Sequence, residues 1–236
     1  MHIGIKYVSA VAVTAAAVLV VTACGGSGKS NGHSAAALTD DQVESLLLTD
    51  KDQPGYNFDA SEDVRSTTDT PALVTTGDSA CQSFRDAENA LSTKYGTTVD
   101  LRRVLNSAHG VTMIQDAVEV MPSADKASAL MADLTAGLKG CKTFTETEEN
   151  EPTPTTLTAI PQMVGDDRVG YVTRASVQSD TEVDTTYVVR VGPVVVLMLE
   201  TGTVNLGIVP LPQASETLLR LSDLQVARLK SAAGVS

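Results

Sequence analysis

The residues best placed to do chemistry in this sequence are Val21-Thr22-Ala23-Cys24. A thiolate is a good nucleophile, and small side chains just before it fit the narrow pocket of a signal peptidase. Cys24 is therefore read as the acceptor of a diacylglyceryl group through a thioether, with cleavage between Ala23 and Cys24 and acylation of the freed amine, as by palmitate. The preceding segment agrees. Lys6 and the terminal amine make a short positive region, and Val8 to Val21 is an uncharged run of mostly Ala and Val. That run has the length of a signal-peptide core and falls short of the ~20 residues a spanning helix needs. At roughly 0.8 kcal/mol per buried methylene, several acyl chains would hold the protein at the bilayer almost irreversibly. Residues 1–23 are thus expected to be a signal peptide. The mature protein is expected at the extracytoplasmic face of the cell membrane, with the membrane as its first partner.

Little else in the chain has catalytic spacing. The folded part contains one histidine, His109, in an Asn106-Ser107-Ala108-His109-Gly110 turn, and no Gly-x-Ser-x-Gly elbow occurs. One histidine does not make a zinc site. The acidic pairs Asp166-Asp167 and Glu148-Glu149 lack the alternating ligands and the glycine of a calcium loop. Gly25-Gly26-Ser27-Gly28-Lys29-Ser30 lacks the spacing and preceding strand of a phosphate-binding loop. No metal or cofactor is expected. Besides Cys24 there are two cysteines, Cys81 and Cys141. An even pair in an exported chain is expected to form a disulfide.

Arginines are the remaining candidates. Arg102, Arg103, Arg174 and Arg190 each fall inside a predicted strand. A strand arginine on an uncovered sheet face can line a cleft and take an anionic ligand. On a solvated face its stem simply packs flat. Arg102, Arg174 and Arg190 are carried forward as candidate ligand-binding residues. The overall charge is acidic, with 17 Lys plus Arg against 29 Asp plus Glu, which excludes a basic stripe for nucleic acid. With no Trp and three Phe, stacking platforms for sugars or bases are scarce.

The elements that must position these residues follow from pattern. Residues 24–37, rich in Gly, Ser, Asn and Ala, read as a flexible tether. Residues 38–236 then form one domain. Thr39-Asp40-Asp41-Gln42 is a capping box opening a short helix to about Leu48. Tyr56 to Ala60 reads as a strand, and residues 61–77 as a polar loop. Cys81, Phe84, Glu88, Leu91 and Tyr95 recur on one side of a helix over residues 79–93, which Gly96 ends. Thr98 to Leu105 and Val111 to Met121 are predicted strands. Ile114, Val118 and Val120 share a face with Asp116, and Glu119 is expected to face outward. Ser123 opens a helix with Ala127, Leu130, Met131, Leu134 and Leu138 on one side, stopped by Gly140. A strand at Lys142 to Thr147, an acidic loop from Glu148 to Pro154 and a strand at Val169 to Val177 follow. Thr186 to Val191 and Val194 to Thr201 make a hairpin across Gly192-Pro193. Val194 to Leu199 is apolar on both faces and should be the most buried strand. A last helix spans residues 213–233. The fold class is α+β: a largely antiparallel β-sheet with helices packed on it and one disulfide.

The run Ala117-Val118-Glu119-Val120-Met121-Pro122-Ser123-Ala124-Asp125-Lys126-Ala127, leading into a helix and a cysteine, resembles the extracellular sensor domain of PknH-type serine/threonine kinases. Leu47-Leu48 before Pro54-Gly55, the helix carrying Cys81 and the final helix after paired strands fit the same pattern. The resemblance covers about residues 38 to 233. It departs in having one disulfide where the kinase domains usually have two, and no Trp. It implies a sheet with helices, an open cleft for a small ligand and no catalytic role. The expected function is a non-catalytic sensor or ligand-binding module of the cell envelope, with a small ligand or an envelope protein as partner. A carrier of lipid or other apolar molecules is the alternative, and a hydrolase stands behind both.

Overall fold

The hexamer Val194 to Leu199 lies at the centre of the molecule. In the computed structural model it belongs to a strand flanked by partners on both edges and packed on both faces. The structure describes residues 38–65, 74–108, 112–148, 151–163, 165, 167–177, 180–205 and 215–233. The signal, tether, Cys24 and His109 expectations lie outside these residues.

Four α-helices and ten strands follow in chain order: α1 (Asp40–Leu46), β1 (Tyr56–Asn57), β2 (Val64–Arg65), β3 (Val74–Thr76), α2 (Ser79–Asn89), β4 (Val99–Ser107), β5 (Thr112–Val120), α3 (Ala124–Gly140), β6 (Thr143–Glu148), β7 (Glu151–Ala159), β8 (Arg168–Val177), β9 (Asp180–Val191), β10 (Val194–Asn205) and α4 (Glu216–Ala233). The strands form one antiparallel sheet in the order β1-β4-β5-β10-β9-β8-β7-β6-β3, with β2 also pairing with β4. The expected α+β class is what the structure has.

Strand alternation sends successive side chains to opposite faces, and each face has its own roof. Val43 of α1 and Leu218, Leu221 and Leu229 of α4 pack on Leu101, Ile114, Val118, Val196 and Met198. Phe84 of α2 and Leu130, Leu134 and Leu138 of α3 pack on Tyr171, Val188 and Val195. Helices α3 and α4 thus cover the central hexamer from opposite sides. Cys81 and Cys141 are bonded, tying the first turn of α2 to the exit of α3. Close packing there needs glycine: a Cβ at Gly137 would come within 2.6 Å of the Phe84 Cβ.

The capping box at Thr39 and Gln42 forms as expected. Four expectations change. The helix from Ser79 ends at Asn89, and one wider turn over Leu91–Tyr95 follows, burying both end residues before Gly96. The Glu148 to Pro154 segment is the tip of a β6–β7 hairpin, where Glu148 pairs with Glu151. Pro152 and Pro154 are tolerated because β7 pairs with β8 only from Thr155 onward, so at the prolines the strand has β6 alone beside it. The region 61–77, read as loop, carries the short edge strands β2 and β3. Last, Glu119 does not face outward: it is 2% exposed, because α2 and α3 roof the face that looked solvated.

Candidate functional site

Beyond the reach of α4, no described element covers this face of the sheet. There a cleft of about 490 Å³ lies over β6 to β9, with Thr76 and Gly77 at its rim. That volume is in the range of small-molecule pockets. Register fixes its floor. Thr143 pairs with Thr156, and Thr156 pairs with Arg174, so these three side chains stand in a row across β6, β7 and β8. Thr76, Thr145 and Pro154 make a parallel row across β3, β6 and β7. Ser176 and Thr181 pair across β8 and β9 and extend the hydroxyl surface. Phe144 and Thr155, one position out of phase, turn to the opposite face; Phe144 packs there with the α2 and α3 core. Among the described residues that line the cleft, Arg174 carries the only charged side chain.

The other arginine candidates are elsewhere. Arg102 aligns through Ala117, Leu197 and Val188 with Val169, a row on the α2–α3 face. It grips Asp100 through Nε and Nη2, both at 3.0 Å. Arg190 lies on that same face and pairs with Asp167. Arg103 is buried on the α1–α4 face, where it binds Asp63 and donates to the Leu48 carbonyl at 3.2 Å. The structure therefore does not bring Arg102, Arg174 and Arg190 together. Two hold carboxylates of the chain, and Arg174 alone reaches the cleft. What sequence reasoning missed is the threonine floor. Its signal was present as Thr at alternate strand positions, Thr143 and Thr145, which reads as an ordinary polar strand face.

Two carboxyls are buried within the sheet. Asp116 is fully buried in β5, and desolvation pushes its pKa up to about 7, opposed by the Leu48 N–H and by Arg103 and Arg228. Its Oδ2 accepts from Leu48 N at 2.8 Å. Arg228 of α4 donates to the Leu46 carbonyl and pairs with Asp52. Together these groups fasten the chain after α1 to the sheet and to α4. Glu119, under the opposite roof, is raised by burial to about 8, with Asp100 adding and Arg102 opposing. Neither carboxyl lies beside an activated nucleophile among the described residues. Likewise, no group of three or more His, Cys, Asp or Glu among them is arranged to hold a metal, and no described helix is long and apolar enough to cross a membrane.

With this geometry in view, the comparisons with known proteins are specific. A family model described as "PknH-like extracellular domain" matches residues 33–196. The crystal structure of the extracellular domain of PknH from Mycobacterium tuberculosis superposes with a TM-score of 0.62 at 15% identity, covering 83% of this chain and 98% of that one. No curated protein matches the sequence.

Proposed function

Because the chain belongs to the family of PknH-like extracellular domains, we propose that it is a non-catalytic, extracytoplasmic module that senses or captures a small ligand in the cleft over β6 to β9. The observation that carries this reading is the cleft itself: a hydroxyl-floored concavity of about 490 Å³, with Arg174 among its described lining residues. In the same reading residues 1–23 are removed, Cys24 carries the lipid, and residues 24–37 tether the domain of residues 38–236 to the membrane. The resemblance of the fold to a kinase sensor domain supports a sensing role. A lipid carrier would need a large enclosed apolar cavity. The apolar space between α2–α3 and the sheet amounts to only about 10 Å³, less than or equal to one water.

Native mass spectrometry of the mature protein, extracted in detergent, tests the ligand site. A bound small molecule that is lost in Thr156→Trp, which fills the floor, supports the proposal. A retained apolar lipid indifferent to Thr156→Trp favours the carrier. Intact mass tests the anchor: Cys24→Ala should remove the acyl mass and leave the signal uncut. A Cys24→Ala protein with wild-type processed mass and wild-type detergent partitioning would refute lipidation.

A further inference from the structure

Leu38 to Arg65 form an arm that carries α1, β1 and β2. Its two strands join the edge of β4 over only two residue pairs each. Leu47 and Leu48 anchor the arm in the core, and a buried cluster of charges surrounds that anchor. Asp116 of β5 accepts the Leu48 N–H at Oδ2, at 2.8 Å, and Arg103 of β4 donates to the Leu48 carbonyl at 3.2 Å. The arm returns two carboxylates: Asp63 to Arg103, and Asp52 to Arg228 of α4. Three carboxyls thus share two guanidiniums, and each guanidinium is already paired with a carboxylate of the arm. Asp116, 0% exposed, is the third carboxyl, and its Oδ1 has no hydrogen-bond partner among the described residues. The other groups on this face are neutral, acidic or already engaged. The Asp116 row continues through Met198 to Tyr187, and Glu200 stands one same-face position along β10, opposite Ile114. From α4, the buried Gln225 is neutral, and Arg220 donates to the Asp52 carbonyl and to Gln53. Beside α1, Arg65 holds Asp40 and Glu44.

A buried carboxylate without a cation of its own is costly, and the group takes up a proton instead. Desolvation raises the Asp116 pKa from 3.8 to about 7, and the Leu48 N–H, Arg103 and Arg228 only partly oppose it. If the arm lifts, Asp52 and Asp63 leave with it. Arg103 and Arg228 then face Asp116 alone, and it ionises readily. Docking of the arm is therefore coupled to uptake of a proton. We propose that this cluster is a pH-sensitive clasp: the arm is held firmly in acid, where Asp116 keeps its proton, and loosens as the medium becomes neutral. Oδ2 accepts from Leu48 whether or not Oδ1 carries the proton, so the contact itself survives protonation. Because the docked pKa lies above the released one, the clasp is strongest below the released value. It weakens as pH rises through the docked value and changes no further above it. The arm begins where the segment read as a tether ends, so in that reading a loosened clasp lengthens the connection between sheet and membrane.

Hydrogen exchange by mass spectrometry on the full mature chain, normalised at each pH to the rates of unstructured peptide, reads the clasp directly. Peptides from the arm should lose at least about tenfold of their protection between pH 5 and pH 7, and little more above, since one coupled proton changes an equilibrium up to tenfold per pH unit. Asp116→Asn keeps an acceptor for the Leu48 N–H and has no proton to lose, so its arm should stay protected to the same degree across that range. Asp52→Asn leaves two carboxyls for two guanidiniums. The Asp116 carboxyl, followed by carbon NMR, should then titrate at a lower pH than in the wild type. This second variant also serves if Asp116→Asn does not fold. Arm protection that is flat between pH 5 and pH 7 in the wild type, or that falls equally in Asp116→Asn, would overturn the proposal. So would an Asp116 midpoint that Asp52→Asn leaves in place or raises. The cleft over β6 to β9 takes no part in these measurements, so their outcome leaves the ligand reading untouched.

Discussion

Glu119→Gln should make the protein more stable at alkaline pH and leave it nearly unchanged in mild acid. Glu119 sits mid-sheet between Asp100 of β4 and Val195 of β10. It lies against Leu91, Leu130 and Leu134, which seal it from water. Desolvation raises its pKa from 4.5 to about 8, with Asp100 adding and Arg102 opposing. Between those two values the folded protein keeps a proton that the unfolded chain has lost. Stability therefore falls as pH rises, beginning near the unfolded value and levelling off above the folded one. At about 1.4 kcal/mol per unit, the full loss is on the order of 5 kcal/mol, and about 3 kcal/mol has accrued by neutral pH. Glutamine is close in shape and has no proton to give up. The two proteins should then agree within about 1 kcal/mol near pH 5 and differ by several kcal/mol near pH 8.5, with the variant the more stable. Asp116 and the other buried groups titrate in both proteins and cancel in the difference. Urea unfolding followed by circular dichroism at three pH values measures this. Parallel stability profiles for the two proteins would show that Glu119 ionises freely, and that α2 and α3 do not seal the sheet above it. Glu119→Lys is not a neutral surface change. It puts an ammonium under that roof and should destabilise throughout the range.

Two further perturbations test the frame. Val196→Asp places a charge at a position of 0% exposure between β5 and β9 under α4; at a cost of several kcal/mol it should abolish cooperative melting, and a wild-type melting temperature would mean that β10 is not the central strand. Cys81→Ser opens a crosslink between residues 60 apart, worth about 4 kcal/mol in the chain-entropy model. It should lower Tm by on the order of 10 °C in a domain this size, and an unchanged Tm would mean that the α2–α3 pair holds without it.

Patterns that declare one buried face were legible in the sequence. The apolar steps of α3 and α4, the capping box at Thr39 and the two-sided run at Val194 all reported burial directly, because each needs an apolar neighbour. The burial of polar residues was less legible. Glu119 alternates with Val118 and Val120 as a solvent-facing residue would, and only the roof of α2 and α3 shows that it is enclosed; Asp116 was readable on the apolar face of Ile114 and Val118, but its bond to the Leu48 N–H was not. A single sequence does not say how many layers cover a sheet, so Glu119 was assigned to water. The prolines of β7 misled for a related reason. Their cost depends on whether a second strand lies alongside, and that is a property of the sheet edge, not of the segment. Among the arginines, strand location was readable, but not which carboxylates hold them: Asp100, two residues back on the same face of β4, grips Arg102, and Asp167 of a neighbouring turn pairs with Arg190.

The same sheet supports a sealed core and an open cleft because valine and threonine share a backbone preference. Both are branched at Cβ and favour extended strands. Valine on a sheet face demands a cover, and Val188, Val194, Val195 and Val196 have one. Threonine keeps the strand while its hydroxyl tolerates water or a ligand. Where β6 and β7 replace valine with Thr143, Thr145 and Thr156, the sheet continues without needing a helix above it. The open floor is therefore compatible with a rigid scaffold: the strands that shape it are hydrogen-bonded into the covered half of the same sheet. Arg174 is anchored in the same way, since β8 contributes Tyr171 and Val172 to the two cores only a few residues earlier. A ligand in the cleft would thus meet a preformed floor, with little conformational entropy to lose on binding.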